Sequence, residues 1–424
     1  MTSPADGGAA TVDELAVLRP PPAPERTVVA PQPMVNEPMV VNIGPHHPST
    51  HGVLRVLVQL DGERVLSAKP DIGYLHTGIE KTFESKMYVK GTTLAPRMSY
   101  LSPINNNLAY VLTVEKLLGV EVPERARVVR VILAELDRLA SHLVFLGIYS
   151  LDLGASTMML YTFREREAIL DLMEMTGGAR MFPSYIRPGG LAYDLPPGFE
   201  AAVADILDRM PGAIDQYETL LTGNPFWRER TRGVAAISAE DALAWGATGT
   251  ILRATGVAYD VRKAEPYADY ETYDFDVPTH TDGDAYARYL VRIGEMRQSV
   301  GIAHQALDRL PGASGGHITA DRKVAPPPKH ELATSMESVI HHFKLWTEGF
   351  VVPAGEAYVA VEAPRGELGF YIVADGTAKP WRVHMRSPSF VNLQALETMI
   401  RGALVADLVT AVASLDPVLG EVDR

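Results

Sequence analysis

The sequence predicts an α+β fold, in which a central helical bundle is flanked by β segments from the N- and C-terminal parts. In the middle of the chain, apolar residues recur every three or four positions, the period of a helix face. Before and after that region, short apolar runs are separated by turn residues, as in strands. The predicted organisation is an arm over 1–38 and one domain over 39–424, with a β part 39–95, a bundle 96–350 and a β/helix part 351–424.

The N-terminal part begins with a proline-rich stretch that has no apolar period, and we expect residues 1–38 to be extended or disordered. Beyond Met39, the runs 53–60 and 64–67 flank Asp61-Gly62, a dipeptide typical of a hairpin turn. Residues 44–52 therefore form a loop that leads into a strand.

Helices are predicted from apolar spacing and from their start signals. Pro123 and Glu124 mark a helix start, and apolar residues from Val129 to Leu143 follow at spacings of three and four. Thr334-Ser-Met-Glu337 has the form of a capping box before another helix. Further helices are predicted over 157–176, 199–222 and 284–309, and strands over 357–362, 369–373 and 381–385, the last two joined at Asp375-Gly376.

Composition excludes several classes of function. The 424 residues include 39 basic and 52 acidic side chains, a net charge of −13, which repels phosphate backbones and argues against a nucleic-acid partner. There is no cysteine, so no disulfide, thiol nucleophile or cysteine-held metal cluster can reside on this chain. No apolar run approaches the roughly 18 residues of a membrane span, and no signal peptide is evident. We expect a soluble or peripheral protein of a reducing cytoplasm.

Two motifs have simple structural interpretations. Gly312-Ala-Ser314-Gly-Gly316 matches the GxSxG pattern, but a nucleophile elbow needs a strand before it and a helix after it. Here a helix precedes the motif and a proline loop follows, so we interpret it as a chance match. His341 and His342 are adjacent on a predicted helix and point in different directions, as surface or packing residues do.

Three histidines, His46, His47 and His51, lie in one loop, and His76 follows further along. Imidazole is the commonest metal ligand, so a metal site is one hypothesis. Pro48 prevents a regular helix from presenting His47 and His51 on one face. Capping of the loop through backbone hydrogen bonds is the favoured interpretation for His46 and His47.

Asp152 and Tyr100 are ambiguous on local evidence. Asp152 follows a long apolar stretch, where a carboxylate is costly unless paired, and a helix-capping role is as good an interpretation as a functional one. Tyr100 alone would be a half-buried core tyrosine. The residues by themselves predict a large intracellular α+β protein without its own cofactor.

Eight longer strings, taken together, resemble the D subunit (49-kDa type) of respiratory complex I, the proton-pumping NADH:quinone oxidoreductase. They occur in the family's order and span the chain from about residue 39 to residue 424. The strings are GPHHPSTHGVLR from Gly44, GYLHTGIEK from Gly73, VEKLL from Val114, RLASHL from Arg138, YIRPGG from Tyr185, YDVRK from Tyr259, SFVNL from Ser389 and GEVDR from Gly420.

That family is related to the large subunit of nickel–iron hydrogenases, so the resemblance implies a hydrogenase-like fold. Hydrogenases hold their metal with four cysteines in RxCGxC and DPCxxC motifs. The corresponding positions here are Ser99, Ser102, Val418 and Glu421. The resemblance implies that no metal is held and that the former metal cavity has become a quinone head-group cavity.

The resemblance also implies the site residues. His51 and Tyr100 would donate protons to the quinone, and Asp152 would accept a hydrogen bond from His51 and raise its proton affinity. Thr77 and Phe182 would lie beside the terminal [4Fe–4S] cluster of the neighbouring B subunit. Many relatives have arginine and histidine at these two positions. Their loss would lower the cluster potential, which suits menaquinone as the acceptor.

The implied partners are the B subunit, the C subunit and the membrane subunit at the quinone channel, with FMN, NADH and the iron–sulfur clusters held elsewhere. The chain would be peripheral, on the cytoplasmic side of the cell membrane. Three alternatives stay open: the same subunit in a sister complex fed by reduced F420 or ferredoxin, a scaffold that only docks partners, and a histidine-based metallohydrolase. Only the last predicts stoichiometric metal in the isolated chain.

Overall fold

The computed structural model describes residues 37–424, so all but the last two residues of the predicted arm 1–38 lie outside the described part. The strands form three antiparallel sheets. They are β1 Met39–Ile43, β2 Arg55–Asp61, β3 Arg64–Asp71, β4 Ile186–Arg187, β5 Gly190–Leu191, β6 Gly355–Ala363, β7 Gly366–Ala374 and β8 Pro380–Arg386.

The α-helices fill the region between the two larger sheets and follow the last of them. They are α1 Ile79–Ser85, α2 Tyr88–Met98, α3 Pro103–Leu118, α4 Glu124–Asp152, α5 Thr157–Gly177, α6 Phe199–Leu221, α7 Pro225–Thr231, α8 Ala239–Ala244, α9 Thr250–Arg253, α10 Val261–Ala264, α11 Ala285–Arg309, α12 Met336–Thr347, α13 Pro388–Gln394, α14 Leu396–Ile400, α15 Val405–Leu415 and α16 Leu419–Asp423. Within 37–424, none of them has the length and apolarity needed to cross a membrane.

The mixed helix and strand architecture is confirmed. The predicted hairpin forms between β2 and β3, with a register shift at Gln59/Leu60, and the four helices predicted over the bundle are α4, α5, α6 and α11. The three predicted C-terminal strands are β6, β7 and β8.

Two local predictions were wrong, and one strand was missed. Residues 79–95, assigned to the β part, are helical in α1 and α2, and strand β1 was not predicted at all. The capping box at Thr334 is displaced, because Ser335 is the N-cap of α12 and its hydroxyl accepts a hydrogen bond from Ser338 N at 3.2 Å. The apolar runs within residues 79–98 are short, and over so few residues the spacing of apolar side chains does not distinguish a helix from a strand.

Two hydrophobic cores hold the fold together. The larger core contains the long helices and the β6–β8 sheet, where Phe83 and Tyr110 pack on Phe370. The second core joins the N-terminal sheet to C-terminal helices, with Val58 and Leu408 among its members. The two larger sheets therefore pack differently: the β6–β8 sheet packs on the long helices of the bundle, whereas the N-terminal sheet packs on helices from the C-terminal part.

Buried ion pairs link α4, α9, α10, α11 and β6 in the centre of the bundle. Glu295 accepts hydrogen bonds from Arg253 and His142, both at 2.9 Å, and Arg253 also binds Glu362 at 2.8 Å. Burial alone would raise the pKa of Glu295, but Arg253 and His142 outweigh it and hold that pKa far below its usual range.

Candidate functional site

A cavity of ≈ 190 Å³ brings two of the predicted site residues together. His51 and Tyr100 both line it, although they come from different parts of the fold. The remaining lining is largely apolar and comes from the turn between α2 and α3, from α4, from α15 and from the segment after α15: Leu101, Val144, Phe145, Ile148, Tyr149, Ala413, Asp416, Pro417 and Val418. Asp152 lies outside this lining.

Backbone geometry turns the polar side chains into the cavity. His51 ends a short 3-10 helix, Pro48–Thr50, with φ of 54°. Asp416 ends α15 with φ of 52°. Left-handed backbone is uncommon for residues with a side chain, although Asp and His adopt it more readily than most. Such conformations persist where the surroundings enforce them, often at functional sites.

Tyr100 lies in the turn between α2 and α3 and is positioned by a close backbone approach. A Cβ added to Gly420 would lie 2.8 Å from Met98 O and 3.3 Å from Tyr100 Cε1. Only glycine lets α16 pass this close to the tyrosine ring. Gly420 therefore helps to define where the phenol stands.

Asp152 and His51 interact electrostatically but do not form the predicted hydrogen bond. Asp152 Oδ2 is buried and has no hydrogen-bond partner among the described residues. Loss of hydration outweighs the carboxylates of Asp416 and Asp152, so the pKa of His51 is lowered overall. Burial also raises the pKa of Asp152, and His51 opposes that rise. The prediction of a hydrogen bond was wrong because Asp152, at the end of α4, stays outside the lining where His51 lies.

Tyr100 shares its electrostatic environment with His51. Burial raises the pKa of the Tyr100 phenol, and the nearby Arg365 guanidinium lowers it. Arg365 is itself held by an ion pair to Asp416 at 2.9 Å and donates to Ser141 Oγ at 3.0 Å. The cavity thus offers two weak acids beside a fixed pair of opposite charges, in a largely apolar wall.

Two polar residues of the lining were not singled out from the sequence. Asp416 was quoted only within a motif, and Tyr149 was hidden in the apolar face of α4. The Tyr149 hydroxyl is buried and has no hydrogen-bond partner within 37–424. Burial raises its pKa, so the group stays protonated and can donate. The sequence did contain one indication that Tyr149 belongs to the site: it lies about one turn before Asp152 on the same predicted helix, and residues three apart are neighbours on a helix surface.

Thr77 and Phe182 do not contribute to the cavity lining. Thr77 is exposed, in the loop between β3 and α1. This loop is fixed by Asp423, whose carboxylate accepts hydrogen bonds from Gly73 N at 2.9 Å and Leu75 N at 2.6 Å. Phe182 is half-buried, and the Arg97 guanidinium stands 5.2 Å from its ring centroid.

The other histidines have structural contacts. His47 Nδ1 accepts a hydrogen bond from Ser49 N at 3.2 Å, as predicted for a loop cap, whereas His46 is exposed. His76 Nδ1 is 2.7 Å from Asp423 O. His341 and His342 are both half-buried on α12. Over residues 37–424, no group of three or more His, Asp or Glu side chains is arranged to hold a metal ion.

The four residues that the resemblance aligns with hydrogenase cysteines have diverse surroundings. Val418 lines the cavity, and Ser102 Oγ donates to Asp137 Oδ2 at 2.7 Å. Glu421 is buried and accepts hydrogen bonds from Ser387 and Ser389, while Ser99 Oγ is buried without a partner in the described structure. Ser314, in the GxSxG match, donates a hydrogen bond to the Glu124 carboxylate at 2.6 Å.

Comparison with known proteins assigns the family. Residues 152–424 match the family model described as respiratory-chain NADH dehydrogenase, 49 Kd subunit. The D 2 subunit of NADH-quinone oxidoreductase from Roseiflexus sp. (strain RS-1) is 65% identical over 92% of this chain and 93% of its own. The D 2 subunit from Chloroflexus aurantiacus is 62% identical (92% and 95% covered), and the D subunit from Trichlorobacter lovleyi is 54% identical (92% and 99% covered). The chain belongs to the family of 49 kDa subunits of respiratory-chain NADH dehydrogenase.

Proposed function

We propose that this chain is the quinone-site subunit of an NADH:quinone oxidoreductase and that the cavity between His51 and Tyr100 receives the quinone head group. The observation that carries the proposal is the convergence of these two proton donors on one largely apolar cavity. Its volume, ≈ 190 Å³, lies below the roughly 300–1,000 Å³ typical of sites for whole drug-sized ligands. It suits a ring system and leaves the isoprenoid tail outside.

The reaction needs two electrons and two protons for each quinone that becomes a quinol. As electrons arrive, negative charge develops on the two carbonyl oxygens, and a hydrogen-bond donor at each oxygen stabilises it. The His51 imidazolium would protonate one oxygen and the Tyr100 phenol the other, and both donors would be reprotonated from water. Burial lowers the pKa of His51 overall, so the imidazolium forms mainly below neutral pH, and Asp416 and Asp152 limit that lowering.

The electrons would come from a terminal [4Fe–4S] cluster on a neighbouring B subunit, because a chain without cysteine has no thiolate ligands for one. Upstream clusters, FMN and NADH would belong to other subunits. In the same proposal, the cavity would correspond to the metal cavity of the nickel–iron hydrogenase large subunit, with a quinone in place of the metal.

Thr77 and Phe182 would face that partner cluster. With neither an arginine at 77 nor an imidazole at 182, the cluster potential should be low and weakly dependent on pH, which suits menaquinone. Arg97, against the Phe182 ring, supplies a fixed charge there but no titratable group. A cluster midpoint that shifts strongly with pH would contradict this part of the proposal.

The same proposal includes the location of the chain and its partner subunits. It would be a peripheral subunit on the cytoplasmic side of the cell membrane, in contact with the B and C subunits and with the membrane subunit that leads quinone to the site. Proton pumping would be carried out by membrane partners.

The test uses membranes that carry the complete complex with Tyr100→Phe. Removing the phenol hydroxyl should lower NADH:quinone reductase activity by about 10²-fold or more, the usual effect of losing a positioned donor. NADH:ferricyanide reductase activity, which bypasses the quinone end, should persist and controls for assembly.

Other outcomes separate the alternatives. If both activities persist, the chain is closer to a docking scaffold or the site has been placed wrongly. Complexes that co-purify without NADH-oxidising subunits would favour a sister complex fed by reduced F420 or ferredoxin. Stoichiometric metal in the purified chain would favour the metallohydrolase.

A further inference from the structure

Two arginines of α11, Arg288 and Arg292, lie behind one wall of the proposed head-group cavity without lining it. They are four residues apart, about one helical turn, and both are held against Ser414 of α15. Arg288 donates to Ser414 Oγ at 2.8 Å, and Arg292 donates to Ser414 O at 3.2 Å. The Arg292 guanidinium also stands 3.8 Å from the centroid of the Phe145 ring, which does line the cavity. One side chain of the lining therefore contacts this arginine pair directly.

The arginine pair consists of buried cations that take part in none of the ion pairs within residues 37–424. Arg288 is 0% exposed and Arg292 is 2% exposed. Among the described residues, Arg288 Nε and both Nε and Nη2 of Arg292 have no hydrogen-bond partner. Burial lowers the pKa of Arg288 and of Arg292 to about 10, which leaves both side chains charged at neutral pH.

The carboxylates around the arginine pair are engaged elsewhere. Asp416, which acts on Arg292 more strongly than any other carboxylate, forms its ion pair with Arg365 at 2.9 Å. Glu295 belongs to the central network of the bundle, and Asp284 is the N-cap of α11. The positive charge of the pair is therefore only partly cancelled.

Stability alone does not account for this arrangement. A buried cation without a close counter-charge costs folding free energy. The arginines of the bundle centre avoid that cost, since Arg253 contacts Glu295 at 2.7 Å and Glu362 at 2.8 Å. Arg292 has only two carbonyl contacts in the described structure, at 3.2 and 3.4 Å. An uncompensated charge at this position is explained if it acts on a group in the cavity.

The electrostatic effect of the pair does extend to the cavity lining. Tyr149 lines the cavity, and burial raises the pKa of its phenol. Arg288 and Arg292 oppose that rise, because a nearby cation favours the phenolate. A negative charge formed in the cavity would be stabilised for the same reason.

We propose that Arg288 and Arg292 provide a fixed positive potential in the head-group cavity and that this potential stabilises the negative charge that develops on the quinone as electrons arrive. The inference rests on the proposed function, because it needs a quinone in this cavity. Charges that are oriented before the reaction act without contact and need no rearrangement during it. The oxidised quinone is neutral and gains little, whereas its reduced, negatively charged forms gain the full attraction.

The first experiment compares two ligands of similar shape in the purified complex. 2-Hydroxy-1,4-naphthoquinone is an anion at neutral pH, 2-methoxy-1,4-naphthoquinone is neutral, and calorimetry without NADH measures the Kd of each. Arg292→Met removes the charge and keeps an unbranched side chain against Phe145. It should weaken binding of the anion by about tenfold, the scale of one unit charge acting across roughly 10 Å at an effective dielectric constant of about 20. Binding of the neutral ligand should change little.

The second experiment separates this effect from a structural one in the same variant. The kcat of NADH:quinone reductase activity with a short-chain menaquinone should fall by about tenfold while KM stays nearly unchanged, because the bound, oxidised quinone carries no charge. The unfolding temperature of the complex should stay the same or rise, because an apolar side chain replaces an unpaired buried cation. The control, Arg253→Met, removes an equally buried but paired arginine and should lower the unfolding temperature.

Three results would overturn the inference. An equal loss of affinity for both ligands would mean that Arg292 shapes the cavity, and no loss for either would mean that its charge does not act there. A fall in unfolding temperature as large as that of Arg253→Met would mean that Arg292 is structural. If the wild-type complex binds both ligands, these failures leave the proposed function standing. If the wild-type complex binds neither, the proposed function fails with the inference.

Discussion

The centre of the bundle and the surroundings of the cavity both contain buried polar side chains. The two regions differ in how many partners their buried carboxylates and hydroxyls have. In the centre, Glu135 accepts hydrogen bonds from Tyr270 at 2.6 Å and Ser299 at 2.6 Å, in addition to its ion pairs with Arg262 and Arg138. Beside the cavity, Asp152 Oδ2 and the Tyr149 hydroxyl are buried with no hydrogen-bond partner in the described structure. In the centre, the buried atoms without a hydrogen-bond partner include nitrogens, such as Arg138 Nη1 and His142 Nδ1, while the Glu135 carboxylate is fully engaged.

This difference suggests two roles: buried polar groups with partners stabilise the fold, and those without partners near the cavity are available to a ligand. A buried polar group without a partner costs about 1–3 kcal/mol, so a fold tolerates it only where something else compensates. In the bundle centre, burial raises the pKa of Glu135 but its arginines outweigh that effect and lower it. At the cavity, burial prevails and the pKa of Asp152 is raised.

The largest expected effect comes from breaking the central network with Glu295→Gln. Removing one charge from a buried pair typically destabilises by about 3–5 kcal/mol, because Arg253 and its neighbours lose their counter-charge. The pKa of Glu295 is depressed, so its stabilising contribution is present at neutral pH and is lost only in acid. Thermal unfolding of the purified complex at neutral pH measures the loss.

The control for that variant is Asp215→Asn, which breaks an exposed ion pair to Arg297. Exposed pairs contribute about 0–1 kcal/mol, so the unfolding temperature should barely move. Equal shifts for the two variants would mean that the central network does not hold the bundle.

The next effect is on activity and tests the positioning of Tyr100. Gly420→Ala adds a methyl that would meet Met98 O at 2.8 Å and press on the tyrosine ring. We expect NADH:quinone reductase activity to fall by about tenfold, since small misplacements of a reacting group are costly. Gly212→Ala is the matched control, because nothing lies within 4 Å of its added methyl. Loss of ferricyanide reduction as well would indicate disrupted assembly instead of a moved phenol.

A smaller effect is expected from Asp152→Asn, and it should depend on pH. Asp152 raises the pKa of His51, so its neutralisation should lower that pKa further. The protonated donor would then be available only at more acid pH. The pH profile of NADH:quinone reductase activity should therefore move toward acid, with activity lost first on the alkaline side. A wild-type profile in this variant would show that Asp152 does not act through His51.

The smallest effect should follow Tyr149→Phe, which removes a hydroxyl that has no partner in the described structure. Stability should change by less than about 0.5 kcal/mol. Its counterpart in the bundle centre, Tyr270→Phe, leaves Glu135 without a 2.6 Å hydrogen bond and should cost about 1–3 kcal/mol. If the two variants unfold at the same temperature, the contrast between the two regions fails.

Local patterns predicted most of the long elements, and a family resemblance predicted two members of the cavity. The period of α4 and the turn at Asp61-Gly62 are properties of neighbouring residues, so the sequence shows them directly. His51 and Tyr100 were predicted only through a family resemblance, and the structure brings them into one lining. Their roles as donors remain predictions.

What the sequence could not show depends on contacts between distant residues. Asp423 fixes Gly73 across 350 positions of the chain, and no local period reports such a contact. Asp416 joins His51 only because C-terminal helices cover the N-terminal sheet. Met336, Ile340 and Phe343 of α12 are exposed, although they recur at the period of a core-facing helix, so the sequence of this helix resembles that of a buried one.

The way the cavity is assembled limits how its function can be divided. His51 precedes the N-terminal hairpin, Phe145 belongs to the bundle, and Asp416 follows α15, so each wall depends on a different part of the chain. A fragment that ends before α15 would keep His51 and Tyr100 but would lack Asp416 and the rest of that wall. The cavity cannot be transplanted as a cassette, and partly folded chains should contain no half-active form that reduces quinone outside the complex.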